Sequence, residues 1–475
     1  MQGYWYIWNK NLHMFNYTSQ YQTKITEFNN LYSLELAQSN RWIQLGFHLP
    51  WDTLVKIYRS KFSEKQGCPA TNPRWILGSL IIKYLLNLSD EETLQTISEN
   101  PYMQFFLDCN TFCPDVLFSP TVFVDIRKRL GNEIFNQFSD ELIKICFPQK
   151  INNEKGEGNN EKGGSNKGEL KLDATVADQY IQYPNDLGLL NDARKKTEEI
   201  IDELFEKLSD KLKVKPRTYR RVAHKKYMSE AKKRQKSNPD LIGMRIAIRY
   251  MLNCLDRNIR SINKMLDMLD ENVLSYNQMR QFWIIQTLNN QQREMYRKKE
   301  NRCDDRIVSF SQPHVRPIVR GKQGKNVEFG SKLGLSLANG FVKADTLSWD
   351  AYNECQDLRR QTEAYKSLYG YYPELILIDK IYATNENRTW CKENGIRLSA
   401  TPKGRPQKQS AYQKSKSRKE YGRRNQIEGK IGQSKQGFGL NRIKAKLKNT
   451  SETWIGLTLF MANLVKFAEL HNFSI

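Results

Sequence analysis

Four side chains near the end of the sequence have types and a spacing that suit phosphodiester chemistry. They are Tyr421, Arg424, Glu428 and Lys435, in the pattern Tyr-x2-Arg-x3-Glu-x6-Lys. In a metal-dependent phosphodiester site, an acid holds a divalent ion, cations hold the phosphates of the strand, and an aromatic ring packs on a sugar or base. The pattern therefore predicts that Glu428 is a metal ligand and that the other three side chains contact nucleic acid.

Two further acids stand at the ends of predicted strands. Asp173 ends the apolar run of the stretch that begins at Glu169, and Asp379 follows the continuous apolar run Leu375–Ile378. A carboxylate at the tip of a buried strand is costly unless a cation or hydrogen bonds compensate it. Three converging carboxylates make an all-oxygen site that suits Mg²⁺ or Mn²⁺. The predicted catalytic and metal-binding residues are therefore Asp173, Asp379 and Glu428.

Each of these acids also has a purely structural interpretation. Asn425-Gln-Ile-Glu428 is a capping-box sequence, so Glu428 could cap its own helix. Asp379 could start an Asx turn, and Asp173 could pair with Lys171. Taken one at a time, these interpretations match or exceed the functional one. Taken together, on the elements where an α/β domain gathers its acids, the metal site is the better interpretation.

The charge of the chain points to a polyanionic partner. Its 475 residues include 75 Lys and Arg against 52 Asp and Glu, a formal net charge of +23. Such an excess favours nucleic acid first and an acidic membrane surface second. Residues 401–424 alone contain nine Lys or Arg and one acid. We expect this segment to be mobile and to lie along double-stranded DNA, with Lys403, Arg405 and Arg423 among its contacts.

Other classes of protein are disfavoured. The longest apolar run, Ile76–Leu88, is interrupted by Lys83 and is too short to span a bilayer, so we expect a core helix there. The aromatic N-terminus does not resemble a signal peptide, so we expect a cytoplasmic, nucleoid-associated protein; translation could also start at Met14. Eight Cys are too sparse for a disulfide framework, and the one close pair, Cys109 and Cys113, does not favour a zinc site.

The sequence divides into five segments. A Gly-rich polar stretch separates a helical N-terminal region, with a helix start at Ser89-Asp-Glu-Glu92, from a region of alternating strands and helices. We predict an N-terminal extension (1–30), a helical domain that binds DNA ends (31–148), a flexible linker (149–168), a catalytic domain (169–190 plus 305–475) and a helical insertion (191–304).

The order of elements after the linker predicts the fold class. A hairpin is expected at Asn339-Gly340, a helix is expected to end at Gly370, and two helices close the chain, the first from about Gln426. Without the insertion, this is the order of an RNase H-like domain, a mixed five-stranded sheet with helices on both faces. The predicted fold class is α/β, with an RNase H-like catalytic domain interrupted by a helical insertion and preceded by an all-α N-terminal domain.

Two more basic stretches leave alternatives open. Arg127, Lys128 and Arg129 lie on a predicted helix of the N-terminal region, and residues 215–234 lie in the insertion. Each stretch could contact DNA phosphates. Each could equally be the solvated face of a helix, and the sequence alone favours neither interpretation.

Three motifs resemble those of DDE transposases of bacterial insertion sequences. Asp173-Ala-Thr-Val resembles their first-strand motif, Asp379-Lys-Ile-Tyr382 resembles the second, and the Tyr-x2-Arg-x3-Glu-x6-Lys set resembles the third. The resemblance covers nearly the whole chain. One departure is the helical insertion after the first strand, where some relatives carry a β-rich insertion after the second acid.

The resemblance implies an active site with two Mg²⁺ or Mn²⁺ ions, in which Asp173 bridges both ions while Asp379 and Glu428 each hold one. Such a site nicks the ends of a transposon and joins the freed 3′-OH to target DNA. The protein would act as a homodimer on paired inverted repeats. The alternatives are a metal-dependent nuclease of the same fold, which cuts but does not join, and a decayed transposase that only binds DNA.

The resemblance also implies roles for the side chains around Glu428. Arg424 and Lys435 would clamp phosphates near the cleaved bond, where charge-assisted hydrogen bonds are strongest. Tyr421 would pack against the terminal nucleotides or donate a hydrogen bond to them.

Overall fold

The structure, a computed structural model, describes residues 35–62, 71–148, 166–234, 241–269, 271, 273–322, 325–400 and 410–475. The predicted N-terminal extension and residues 149–165 of the predicted linker lie outside these ranges. Contacts divide the chain into two units. The first contains the residues up to Asp178, Lys332–Ser348 and Tyr352–Ile475, and the second contains Gln179–Ser331 and Trp349–Ala351.

The first unit begins with seven helices. They are α1 (Arg41–His48), α2 (Trp51–Arg59), α3 (Pro73–Leu86), α4 (Asp90–Glu99), α5 (Pro101–Phe106), α6 (Thr121–Arg129) and α7 (Asn132–Cys146). The apolar run at Ile76 forms the largely buried α3, as expected for a core helix. Ser89 caps α4 through a capping box with Glu92, with hydrogen bonds of 2.8 and 3.1 Å, which confirms the predicted helix start.

Six strands form one mixed sheet. They are β1 (Glu169–Asp178), β2 (Arg316–Lys322), β3 (Lys325–Ala338), β4 (Phe341–Ser348), β5 (Leu375–Leu377) and β6 (Arg397–Ser399). Within the first unit the strand order is β4-β3-β1-β5-β6; β1, β5 and β6 are parallel, and β3 and β4 are antiparallel. The expected count of five strands was therefore one too low. The additional strand, β2, pairs with the first half of β3 in the second unit.

The β3–β4 hairpin confirms the prediction at Asn339-Gly340. Ala338 pairs with Phe341, which leaves a two-residue turn. Both turn residues have positive φ, 51° for Asn339 and 85° for Gly340, as this kind of turn requires. The turn sets the register of the two strands from Leu335 to Ala344, up to an irregularity between Gly334 and Leu335.

Four further helices complete the first unit. They are α12 (Asp357–Tyr369), α13 (Asn385–Glu393), α14 (Ala411–Gly437) and α15 (Lys448–Leu470). The four helices that lie between α7 and α12 in the chain belong to the second unit. Gly370 ends α12 with φ 83°, as predicted. The helix expected from about Gln426 begins fifteen residues earlier, because Ser410 and Gln413 form a capping box there.

The second unit is built mainly from helices. They are α8 (Asp186–Lys207), α9 (Arg220–Arg234), α10 (Leu241–Leu266) and α11 (Tyr276–Lys298). Helices α8, α10 and α11 bury two apolar clusters, one around Leu190 and Leu252 and the other around Ile201 and Ile262. No helix in the described ranges is long and apolar enough to cross a membrane.

Candidate functional site

Two of the predicted acids belong to segments that pair as neighbouring parallel strands. The register pairs Glu169 with Leu375 and Lys171 with Leu377. Asp379 follows β5 and keeps an extended backbone, with φ −79° and ψ 162°. Continued by two residues beyond its last pair, this register would set Asp173 opposite Asp379, on strands about 4.8 Å apart. The parallel pairing of β1 with β5 therefore brings together two segments that are far apart in the sequence and that each carry an acid.

Asp173 differs in one respect from the prediction, because it does not end its strand. Strand β1 continues for five more residues to Asp178, and Ala174, Val176 and Ala177 in this part of the strand are buried. Asp379 follows β5, with Ile378 between them, and caps a 3₁₀ turn, where its carboxylate accepts a hydrogen bond of 2.6 Å from the Lys380 amide.

Glu428 lies in the interior of α14. The helix starts at Ala411, so Glu428 is far from the N-terminus and the capping-box interpretation of Asn425–Glu428 is wrong. Helix α14 packs against β1. Arg423 is paired with Glu169 at the start of β1. After the helix, the Ile443 amide donates a hydrogen bond of 2.9 Å to the backbone carbonyl of Asp178, at the end of β1. The helix therefore runs along the strand that carries Asp173.

The charges around Asp173 show which groups share its surroundings. Burial raises the pKa of the Asp173 carboxyl above its ordinary value. A hydrogen bond of 2.9 Å from the Ala174 amide and the charge of Arg424 lower it, whereas the charges of Glu428 and Glu354 raise it again. Glu428 and Arg424 therefore lie within electrostatic reach of Asp173.

Glu354 is an acid of this region that the sequence did not reveal. It begins a 3₁₀ turn, Glu354–Gln356, that packs against the turn capped by Asp379. The Lys332 ammonium lies 3.5 Å from its carboxylate. The charge of Glu354 acts on Asp173 and also on the buried Tyr382. Burial raises the pKa of Tyr382 above its usual range. No spacing or motif distinguishes Glu354 from other acids in the sequence.

The four residues of the C-terminal motif share one side of α14. Their spacings of three, four and seven residues bring Tyr421, Arg424, Glu428 and Lys435 onto one helical face. Arg424 donates a hydrogen bond of 2.7 Å to Glu428 and lies over the ring of Tyr421, 5.5 Å from its centroid. Tyr421 itself is 62% exposed. The arrangement leaves an aromatic ring free to pack on a ligand.

The other predicted DNA contacts are distributed differently. Arg423 lies on another side of α14 and pairs with Glu169, so its charge is already partly compensated within the protein. Lys403 and Arg405 lie outside the described residues. Residues 410–424, which we expected to be mobile, belong to α14 and its N-cap.

The three predicted acids are candidate ligands of a divalent ion. Within the described ranges, no three His, Cys, Asp or Glu side chains are already grouped so that they could hold a metal. The carboxylate of Glu428 is held by Arg424 instead. Asp173, Asp379 and Glu428 nevertheless offer only carboxylate oxygens, the donors that Mg²⁺ and Mn²⁺ prefer, and a cation would compensate the buried charge of Asp173. By donor type these residues fit such an ion, which would compete with Arg424 for the Glu428 carboxylate.

Two family models of transposase domains match parts of this chain. The family model of a transposase DDE domain matches residues 376–465, which include Asp379 and Glu428, and that of a transposase domain (DUF772) matches residues 30–129. An uncharacterised protein, ORF8 in the nfe locus of Rhizobium meliloti, is 26% identical over 148 residues. The match covers 30% of this chain and 64% of the length of that relative. No solved structure matches significantly.

Proposed function

We propose that this chain cleaves transposon ends and joins the freed 3′-OH to target DNA. Its two family matches support a DDE transposase of an insertion sequence. The observation that supports the proposal is the parallel pairing of β1 with β5, whose register, continued by two residues, would set Asp173 opposite Asp379. Glu428, on the segment matched as a DDE domain, interacts electrostatically with Asp173.

The strand order supports an RNase H-like catalytic domain. The order β4-β3-β1-β5-β6, with β1, β5 and β6 parallel, is what we expect of such a domain. Helices α8–α11 stand between β1 and β2 in the chain, where we proposed a helical insertion at 191–304. The catalytic domain would then comprise 169–190 and 305–475, and the helical domain at 31–148 would bind the DNA ends.

In the proposed mechanism, Asp173, Asp379 and Glu428 would hold two divalent ions. When bound, such ions would lower the pKa of the attacking water or 3′-hydroxyl and stabilise the leaving oxygen. Arg424 positions Glu428 through their hydrogen bond and would contact a phosphate next to the cleaved bond. The exposed ring of Tyr421 packs on a terminal nucleotide.

DNA is the proposed partner along several surfaces. Lys435, Arg423, Lys403 and Arg405 would add contacts to the phosphate backbone, which give salt-dependent affinity without sequence preference. Two copies of the chain would act together, one at each inverted repeat, because both ends of the transposon must be joined to the same target.

The experiment uses a labelled DNA end from the flanks of the gene, in the presence of Mg²⁺. Wild-type protein is expected to nick the end and to join it to target DNA. Glu428→Gln is expected to bind the same end but to lose both reactions. Glu393→Gln, an exposed acid at the end of α13, is the matched control and should behave as wild type.

Each other outcome identifies an alternative. Nicking without joined products would favour a metal-dependent nuclease of the same fold. Binding of the end without nicking by wild-type protein would favour a DNA-binding, decayed transposase. Nicking that survives Glu428→Gln would mean that Glu428 is not the third acid.

A further inference from the structure

A cleft lined in part by charged side chains lies in the first unit, on the side of α14 that faces away from Glu428. It has a volume of about 530 Å³, and Glu169, Lys171, Gln426, Lys430 and Lys466 are among its lining residues. Gln426 and Lys430 each stand two positions from Glu428, which on a helix corresponds to a rotation of about 200°. On α14, the residues that line the cleft therefore lie on a different face of the helix from Glu428.

Three lysines converge on this cleft from three elements. Lys171 comes from β1, Lys430 from α14 and Lys466 from α15. Lys466 lies across the β3–β4 hairpin, where a side chain on Gly340 would come within 2.7 Å of its Cε atom. Gly340 thus provides the space that lets this lysine reach the cleft, in addition to the positive φ that the turn requires.

Acids compensate these cations only in part. The Lys171 ammonium is 3.5 Å from Glu169, but Glu169 is also paired with Arg423. Lys430 donates a hydrogen bond of 2.8 Å to the Ala462 carbonyl and has no carboxylate within ion-pair distance among the described residues. Around the cleft, Lys171 and Arg423 therefore share the Glu169 carboxylate, whereas Lys430 has no ion-pair partner among the described residues.

The third lysine does not correct this imbalance. Lys466 pairs at 3.1 Å with Glu469, three residues along the same helix. Lys171 is buried, and Lys430 is half-buried. Burying an ammonium group without a full counter-charge is costly, and a bound anion would remove that cost.

We propose that this cleft binds a phosphate of the DNA backbone, at a position separate from the cleaved bond. Taking DNA as the source of the phosphate rests on the proposed function. The three ammonium groups would donate hydrogen bonds to the phosphate oxygens, and the Gln426 amide can add another. Because α14 carries Glu428 on one face and this cleft on another, it would contact DNA on both sides.

The direct test is a lysine footprint on the full-length protein. An amine-acetylating reagent is applied with and without a short duplex, in the absence of divalent metal, and acetylation is read at each lysine by mass spectrometry. We expect the duplex to reduce acetylation of Lys430 and Lys466 at least about fivefold. Acetylation of Lys392, an exposed lysine of α13, should change much less.

A second arm of the footprint separates the sources of phosphate. Inorganic phosphate is added at the same total phosphate concentration as the duplex. If inorganic phosphate protects Lys430 and Lys466 as well as the duplex does, the cleft is a site for small anions and the proposal is wrong. If neither addition protects the two lysines, the cleft does not bind phosphate and the proposal is also wrong.

Variants give an independent measurement. Lys430→Gln and Lys466→Gln together should weaken duplex binding about tenfold and lower the salt-dependence slope by about 2, since each phosphate contact contributes close to one unit. Lys392→Gln is the matched control. Thermal melting checks that the variants are folded, and if they are not, the footprint of wild-type protein decides.

The two proposals can fail separately. Protection of Lys430 and Lys466 without metal-dependent nicking would support the cleft and contradict the proposed transposase activity. Nicking and joining without protection of these lysines would support the activity and contradict the cleft. The Glu428→Gln protein should retain the footprint, because Glu428 does not line this cleft.

Discussion

Helices α14 and α9 are both strongly basic, yet the structure uses their charges differently. On α14, Arg424 pairs with Glu428, Arg423 pairs with Glu169, and Glu420 pairs with Arg397 of β6. These contacts fix the helix along the sheet of the first unit. The cations of α14 therefore position acids and strands as well as offering charge to a ligand.

On α9 the cations have fewer protein partners. Arg220 pairs with Asp202, and Lys226 lies 4.3 Å from the ring centroid of Tyr250. Arg221 and Lys225 are exposed and form no ion pair with any described residue. The comparison teaches that charge density in the sequence does not distinguish a cation that positions other side chains from one that is exposed to solvent. The protein partners of each cation make that distinction.

The largest predicted difference concerns packing. Ile427 of α14 is fully buried in the apolar cluster under the sheet, whereas Val222 of α9 is 58% exposed. Ile427→Ala should lower the free energy of unfolding by about 2–5 kcal/mol, because it leaves a cavity. Val222→Ala should change it by less than about 0.5 kcal/mol. Urea titration of both variants measures this, and equal effects would remove the basis of the comparison.

The next difference concerns activity. Arg424→Gln removes the charge-assisted hydrogen bond to Glu428, an interaction that contributes about 1.5–3 kcal/mol. We therefore expect single-turnover nicking at saturating DNA to fall about 10- to 100-fold. Arg221→Gln should leave this rate unchanged. A similar loss in both variants would mean that Arg424 acts only through general affinity for DNA.

A smaller effect is expected on α9 itself. Replacing Arg221 and Lys225 by Gln removes two exposed cations without breaking any ion pair among the described residues. Duplex affinity should fall about tenfold at low salt, and the slope of log affinity against log salt should fall by about 2. Fluorescence anisotropy at several salt concentrations measures both quantities. An unchanged slope would favour the interpretation of α9 as a solvated helix.

The smallest effect tests whether a buried acid of the first unit must be catalytic. Burial raises the pKa of the Asp345 carboxyl to about 6, although Ser336 donates a hydrogen bond to it. Because the folded protein then binds this proton more tightly than the unfolded chain, the stabilisation is complete below the ordinary pKa and is lost as the pH rises through about 6.

The Asp345→Asn variant makes this prediction measurable. The free energy of unfolding of wild-type protein should lose about 1 kcal/mol from this group between about pH 5 and pH 6.5, and the variant should lack that change. Nicking at higher pH should remain. Loss of nicking in the folded variant would contradict the assignment of the chemistry to Asp173, Asp379 and Glu428.

Sequence patterns predicted those parts of the fold that depend on local chemistry. The capping box at Ser89, the turn at Asn339-Gly340 and the helix end at Gly370 each follow from residues adjacent in the chain. The apolar run before Asp379 likewise corresponds to the buried strand β5.

Other features depend on contacts that periodicity does not encode. The only buried residues of α14 are Glu420, Ile427 and Ser434, so its first half has no apolar pattern from which a helix could be predicted. Glu354 joins the surroundings of Asp173 only through tertiary folding. The pairing of Arg423 with Glu169 joins residues 254 positions apart.

The most direct test of the central claim locates the metal on the protein. Fe²⁺ replaces Mg²⁺, and hydroxyl radicals generated at the bound iron cut the nearby backbone. The account predicts cuts near Asp173, Asp379 and Glu428, all suppressed by excess Mg²⁺ and all lost in Asp173→Asn. Cuts at only one of these segments, or at acids elsewhere in the chain, would contradict a single metal site formed by the three carboxylates.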